Sequence, residues 1–137
     1  MNKNYEVKYK GGLRCLSVHL KSGSTIETDA PVDNNGKGEK FSPTDLLAVS
    51  LATCMLTVIG IYFKNKGKEI SEITTEVQKK MVSDPRRIAA IEINFDFGKN
   101  DFSKTEYEKI KSVADNCPVA NSLSKDIEVI TNLDSFY

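Results

Sequence analysis

The stretch SPTDLLAVSLATCMLTVIGIYFKNKG, residues 42–67, decides the fold. Ser42 suits an N-cap, Pro43 fits the first helical position, and Asp45 can return a bond to the cap from three residues on. Lys64, Lys66 and Gly67 suit the other end, where cations oppose the helix dipole and glycine accepts a left-handed cap. These signals predict a helix over about 43–66, roughly 35 Å long at 1.5 Å per residue. Within it Leu46–Phe63 carries no charge, a length bordering on a membrane span. Ser50, Thr53, Thr57 and Gly60 interrupt the run, and the flanking strand-like segments need a core to pack on. The expectation is therefore a helix buried on all sides, forming a central spine that two subunits can share.

N-terminal to this helix, Tyr5–Tyr9, Leu13–Leu20 and Ser24–Thr28 read as a strand meander broken at Gly11-Gly12 and Ser22-Gly23. Alternation puts Arg14 on the same strand face as Leu16, Val18 and Leu20, an odd place for a cation unless it meets an anion. Asp29–Lys40, with Pro31, Asn34, Asn35, Gly36 and Gly38, reads as a polar loop. C-terminal to the helix, Ile70–Val82 and Arg87–Phe97 read as strands joined by a Ser83-Asp84-Pro85 turn. Ser103 and Glu106 form a capping box for a helix to about Asp115. Val119–Lys125 reads as a short helix and Ile127–Leu133 as a closing strand. The whole is a single α+β domain over 1–137: a β-meander at about 4–29, the helix, and a β-β-α-(α)-β segment at about 70–133.

Composition narrows the function. Nineteen Lys and Arg balance nineteen Asp and Glu, so no global field recruits nucleic acid or an anionic membrane. Three cysteines at 15, 54 and 117 do not make an even disulfide framework, and the charged start lacks a signal-peptide apolar core. A reducing, cytoplasmic setting is the expectation.

Cys54, inside the apolar helix, and Cys117, in an Asn-Cys-Pro break, are the candidates for chemistry. A thiol in apolar surroundings is ordinarily inert, because desolvation raises its pKa above about 8.5. Two readings stand: a structural cysteine, or half of a redox couple. The second needs a thiolate, a cation, an apolar pocket and a second thiol that resolves a sulfenic acid.

Arg14, Arg86 and Arg87 are the only arginines. Arg14 is the first candidate for the cation, with an ordinary ion pair as the alternative reading. Arg86 and Arg87 follow a Pro turn, where exposure is the default, unless one reaches a site built across a dimer interface. Asp45 is read as a cap rather than a catalytic carboxylate, and Thr44 either presents its hydroxyl to the site or fills the first turn. His19, the single histidine, reads as a surface residue. Cys15, His19, Cys54 and Cys117 match no short zinc motif, so neither metal nor cofactor is expected.

The segment from Asp29-Ala30-Pro31 through the Gly36/Gly38 loop to Phe41-Ser42-Pro43-Thr44-Asp45-Leu46-Leu47-Ala48 and Ala52-Thr53-Cys54 resembles the OsmC/Ohr superfamily. Asn116-Cys117-Pro118-Val119-Ala120-Asn121-Ser122-Leu123 is similar to that family's second cysteine motif. The resemblance implies antiparallel sheets around two long central helices in an intertwined homodimer. It also implies an antioxidant thiol peroxidase that reduces organic hydroperoxides. Cys54 would be peroxidatic, Cys117 resolving and Arg14 the activating cation, with a lipoyl or thioredoxin-like dithiol as reductant. A second reading is a dimeric binding protein for a hydrophobic small molecule. Thr44 stands where the hydroperoxide reductase branch has a glutamate, and Arg14 is offset from the glycine pair; both resemble the OsmC-like branch.

Overall fold

The computed structural model describes residues 2–137, which fall into two compact units, one up to Leu47 and one from Ala48 to Tyr137. The N-terminal unit is a three-stranded antiparallel sheet in the order β1 (Tyr5–Gly11), β2 (Arg14–His19), β3 (Thr25–Asp29). Gly11, Gly12 and Leu13 all take positive φ (85°, 62° and 62°), which turns the chain tightly between β1 and β2. In register, Arg14 faces Asp29 across β2 and β3.

The loop after β3 folds back on itself through a 3-10 turn at Val32–Asn34, and the Gly38 N–H reaches the Ala30 carbonyl at 3.2 Å. Gly36 lies so close to Ala30 that a Cβ there would collide with the Ala30 carbonyl. Only glycine permits this return, which brings the Glu39 and Lys40 amides back toward β3.

Helix α1 (Pro43–Asn65) starts and stops as the sequence predicts. Ser42 Oγ accepts the Asp45 N–H at 3.0 Å while Asp45 Oδ2 accepts the Ser42 N–H at 2.9 Å, an aspartate version of the capping box. At the far end the Gly67 N–H bonds to the Lys64 carbonyl and the Lys68 N–H to the Phe63 carbonyl, with Gly67 at φ +70°. This pair of bonds is the Schellman arrangement.

The expectation of burial on all sides is corrected. Ala48, Leu51, Ala52, Met55, Ile59 and Phe63 form one buried stripe, while Leu47, Thr53, Thr57 and Ile61 on other faces are exposed. α1 is long and apolar enough to cross a membrane by length and composition. Its buried stripe is nonetheless the centre of a protein core, joined by Ile91, Ile93, Phe95, Ile110, Ala114, Cys117 and Leu133.

The C-terminal unit adds β4 (Thr74–Val82), β5 (Arg87–Asp96), α2 (Lys104–Asp115), α3 (Pro118–Ser122) and β6 (Glu128–Thr131). β5 alternates buried Ile91, Ile93 and Phe95 with Glu92, Asn94 and Asp96, the half-buried pattern read from sequence. β4 begins at Thr74 rather than Ile70. Ser71 is held instead by the Asn100 side chain, which takes its N–H at 2.7 Å and donates to its carbonyl at 3.1 Å. α3 is shorter than the predicted 119–125, and β6 covers only the middle of Ile127–Leu133, whose last residue opens a 3-10 turn.

The expected antiparallel pairing holds for β1–β2–β3 and for β4–β5, but β6 lies parallel to β5. The chain from β5 to β6 crosses over through α2 and α3, and such a crossover returns the next strand in the same direction.

Beneath α1, Phe63 stacks on Phe102 with ring centroids 4.8 Å apart, and Phe97 meets Phe102, Tyr107 and Phe136 edge-on. Lys68 closes this cluster, lying 5.0 Å from the Phe102 ring centre and bonding both Glu106 oxygens at 3.0 and 3.1 Å. Glu106 also accepts the Ser103 N–H at 2.9 Å, completing the predicted capping box of α2. The Ser103 amide and then Lys68 hold the Glu106 carboxyl below the usual carboxylate range.

A depressed carboxylate stabilises the fold above its unfolded pKa of about 4.3 and loses that contribution as pH falls through the lower folded value. Glu106→Gln is therefore expected to lower stability by about 1 kcal/mol at pH 7. Thermal denaturation should show that deficit shrinking below about pH 4.

Candidate active site

α1 and α3 bring two thiols together. Cys54 lies midway along α1, half-buried and packed against the core edge. The break after α2 carries Cys117 into that core, where it is 1% exposed. Pro118 and the residues after it start α3, with Cys117 as its N-cap in extended conformation. Its Sγ accepts the Ala120 N–H at 3.4 Å, the role a serine oxygen plays at an ordinary N-cap.

Cys54 packs against the core cluster that contains Cys117, near enough to perturb its thiol, and both thiols are free. Burial first, and then the neighbouring Cys54, push the Cys117 thiol up, while the Ala120 and Val119 amides oppose the shift. Cys117 therefore keeps its proton to higher pH than an ordinary cysteine.

Several backbone bonds fix the Cys117 segment. The Cys117 N–H donates to the Ala114 carbonyl at 3.2 Å, and the Asn121 N–H donates to the Cys117 carbonyl at 3.0 Å. Asn121 Nδ2 reaches the Asn116 carbonyl at 3.0 Å, and Asn116 Nδ2 reaches that of Ser112 at 2.8 Å. The two asparagines flanking the cysteine motif are thus structural clamps.

A groove of about 460 Å³ is lined by Val58, Ile61, Tyr62 and Val113 with Asn65, Ser112 and Asn116. Val58 is one helical turn on from Cys54, and Asn116 adjoins Cys117. Its walls offer apolar surface along one side and amide and hydroxyl groups along the other.

In the N-terminal unit Arg14 meets the anion that its position on β2 requires. Its Nε and Nη2 bond both oxygens of Asp29 at 2.7 and 2.8 Å, the bidentate fork that arginine makes with a carboxylate. Asp29 is 1% exposed and also accepts the Glu39 and Lys40 amides at 3.2 and 3.1 Å. Arg14, helped by those amides, holds the Asp29 carboxyl below the usual range, and Asp29 in turn strengthens the guanidinium's hold on its proton. Asp29 is the residue that the sequence reading missed. Its signal was the β2–β3 register, which becomes visible once both strands are aligned on their turn.

The other candidates have plainer places. Asp45 is the cap partner of Ser42, and Thr44 Oγ1 lies 3.2 Å from Ser42 Oγ in the same first turn. Arg86 and Arg87 are exposed at the start of β5, where Arg87 Nη1 bonds the Ile88 carbonyl at 3.2 Å. His19 Nδ1 pairs with Ser22 Oγ at 2.7 Å on an exposed turn. Among the described residues no three His, Cys, Asp or Glu side chains gather as metal ligands would.

Comparison with known proteins adds the family. The family described as OsmC-like protein matches residues 36–132, which include both cysteine motifs. No curated protein matches the chain. A solved structure from Psychrobacter arcticus, provisionally described as an osmotic stress induced and detoxification response protein, is 45% identical. It covers 96% of this chain and 97% of its own, with a TM-score of 0.90.

Two more distant structures share the fold. An OsmC-like protein from Mycoplasma pneumoniae is 20% identical with a TM-score of 0.73, over 96% of each chain. An organic hydroperoxide resistance protein from Legionella pneumophila is 15% identical with a TM-score of 0.69, again over 96% of each. With its α+β architecture and both cysteine motifs inside the matched region, this chain belongs to the OsmC-like protein family.

Proposed function

We propose that the chain is a cysteine-based thiol peroxidase that reduces organic hydroperoxides in the cytoplasm, working as a homodimer and recycled by an external dithiol of lipoyl or thioredoxin-like kind. The observation that carries this reading is the placement of the two free thiols at one core, Cys54 packed against the buried cluster that contains Cys117. Cys54, half-buried, is the more accessible sulfur and is the proposed nucleophile, while the buried Cys117 is the proposed resolving thiol.

In this mechanism the Cys54 thiolate attacks the terminal peroxide oxygen and the O–O bond breaks. The organic fragment leaves as an alcohol after taking a proton, and Cys54 becomes a sulfenic acid. Cys117 then attacks that sulfur, expelling water and forming a disulfide. Arg14 is the proposed cation, its guanidinium held by Asp29 through Nε and Nη2. Asp45, Thr44, Arg86 and Arg87 take no step.

Subunit association is supported by what a single chain leaves uncovered. Among the described residues no apolar side chain before Ala48 is buried, and Tyr5, Val7 and Tyr9 are each about two-thirds exposed. A sheet without a core of its own calls for a covering surface.

The groove lined by Val58, Ile61, Tyr62 and Val113 also suits the second reading, a binding protein for a hydrophobic small molecule. Turnover separates the two. The peroxidase reading expects cumene hydroperoxide to be consumed continuously with dithiothreitol as reductant. A wild-type protein that binds a fluorescent fatty acid yet consumes no peroxide would decide for the binder.

The resolving step has its own test. Cys117→Ser retains an N-cap oxygen for the Ala120 amide but cannot form the disulfide. It is expected to react once with peroxide and accumulate a Cys54 sulfenic acid that dimedone traps. Absence of the adduct, with turnover intact, would contradict the role given to Cys117.

A further inference from the structure

The two sulfurs are open to attack to very different degrees. Cys54 is half-buried on α1, whereas Cys117 is 1% exposed. Cys117 also cannot easily turn outward. Its N–H is bonded to Ala114, its carbonyl to the Asn121 amide, and the preceding Asn116 carbonyl to Asn121 Nδ2. Swinging the sulfur to solvent would also break its bond to the Ala120 N–H.

Thiol–disulfide exchange proceeds by attack on one sulfur from behind the S–S bond, so the attacked atom needs open space on its far side. A sulfur sealed in the core has none. The leaving sulfur has a different need, a donor that receives its negative charge.

Resting on the reading that this pair forms a disulfide, we propose that the regenerating dithiol attacks the Cys54 sulfur, that Cys117 is the leaving group received by the Ala120 N–H, and that Asn121 is the positioning residue enforcing this order.

The dithiol's first thiolate forms a bond to Cys54 Sγ. The Cys54–Cys117 bond breaks, and its electron pair departs with Cys117 Sγ toward the Ala120 amide. Cys117 takes up one proton and the dithiol's second thiol gives one up to solvent, so that as a thiolate it attacks its own partner sulfur in the mixed disulfide. A cyclic disulfide leaves, and Cys54 is released as a thiolate. The dithiol is oxidised by two electrons and the protein disulfide reduced by the same two. Burial makes Cys117 a poor leaving group, which is why the amide contact matters to the rate.

The test forms the disulfide with diamide, independently of any peroxidase activity. The oxidised full chain is then mixed briefly with 2-mercaptoethanol, quenched with acid, unfolded in denaturant with N-ethylmaleimide so that the buried thiol is reached, and its adducts are mapped by peptide mass spectrometry. The expected product carries mercaptoethanol on Cys54 and maleimide on Cys117, exceeding the reverse pattern by about tenfold or more.

Equal adducts, or a majority on Cys117, would overturn the proposal, as would failure of diamide to link the two cysteines. Asn121→Ala is expected to lower the ratio several-fold, and an unchanged ratio would remove Asn121 from the device. Peroxide inactivity alongside a selective Cys54 adduct would count against the peroxidase reading while leaving this one standing.

Discussion

Cys54→Ser is expected to reduce dithiol-dependent turnover of cumene hydroperoxide to the uncatalysed rate, a loss of about 10³-fold or more. A serine hydroxyl is scarcely ionised near neutral pH and forms no analogue of the sulfenic acid, so neither the attack nor the disulfide survives. The fold should survive, because Cys54 is only half-buried at the edge of the core and the exchange keeps its shape. Cys15→Ser is the matching control. Cys15 lies on β2, opposite Tyr9 and Thr28 in the sheet register, and the mechanism gives it no task. Its activity should stay within about twofold of wild type. Equal losses from both variants would point to general damage rather than to a nucleophile.

The largest effect on stability is expected at Phe63. Its side chain is 1% exposed, stacks on Phe102 at 4.8 Å and meets Tyr62 edge-on at 5.0 Å. Phe63→Ala removes buried ring area and leaves a cavity that the flanking helices cannot fully close, costing about 3–5 kcal/mol. For a domain of this size that should lower Tm by about 10 °C or more. Differential scanning calorimetry of the reduced protein checks it, and a shift of about 2 °C or less would mean that the aromatic cluster does not carry the core.

Some of this was written locally in the chain and some was not. α1 could be read to within a residue because its ends are chemical: Ser42 and Asp45 at one, Gly67 at the other. The buried side of α1 could not. Leu46–Phe63 is apolar or small on every face, so no polarity contrast marks the stripe from Ala48 to Phe63. Alternation found β5 and β6 but carries no sign of direction, and the parallel pairing of β6 follows from the crossover through α2 and α3. Ile70 to Ile73 has strand-like composition yet finds no strand partner, since Asn100 takes up Ser71 instead.

The site divides in the same way. The two cysteine motifs were legible as residue types. Their placement at one core was not, because it depends on Cys117 folding inward as the N-cap of α3 beneath α1. Arg14 announced its need for an anion through its place on the strand. The sequence offered Thr44 where a glutamate was expected, and the carboxylate that orients Arg14 came from Asp29, delivered by strand register and held by amides of a glycine-dependent loop.

Cys54 and Cys117 are proposed to form one working redox pair. Adding one equivalent of cumene hydroperoxide to the fully reduced protein and mapping its peptides by mass spectrometry tests this most directly. The expected result is a single intramolecular Cys54–Cys117 disulfide, with the two thiol hydrogens lost and Cys15 still free. Two unmodified thiols after the peroxide is added, or oxidation of Cys54 that never proceeds to Cys117, would contradict it.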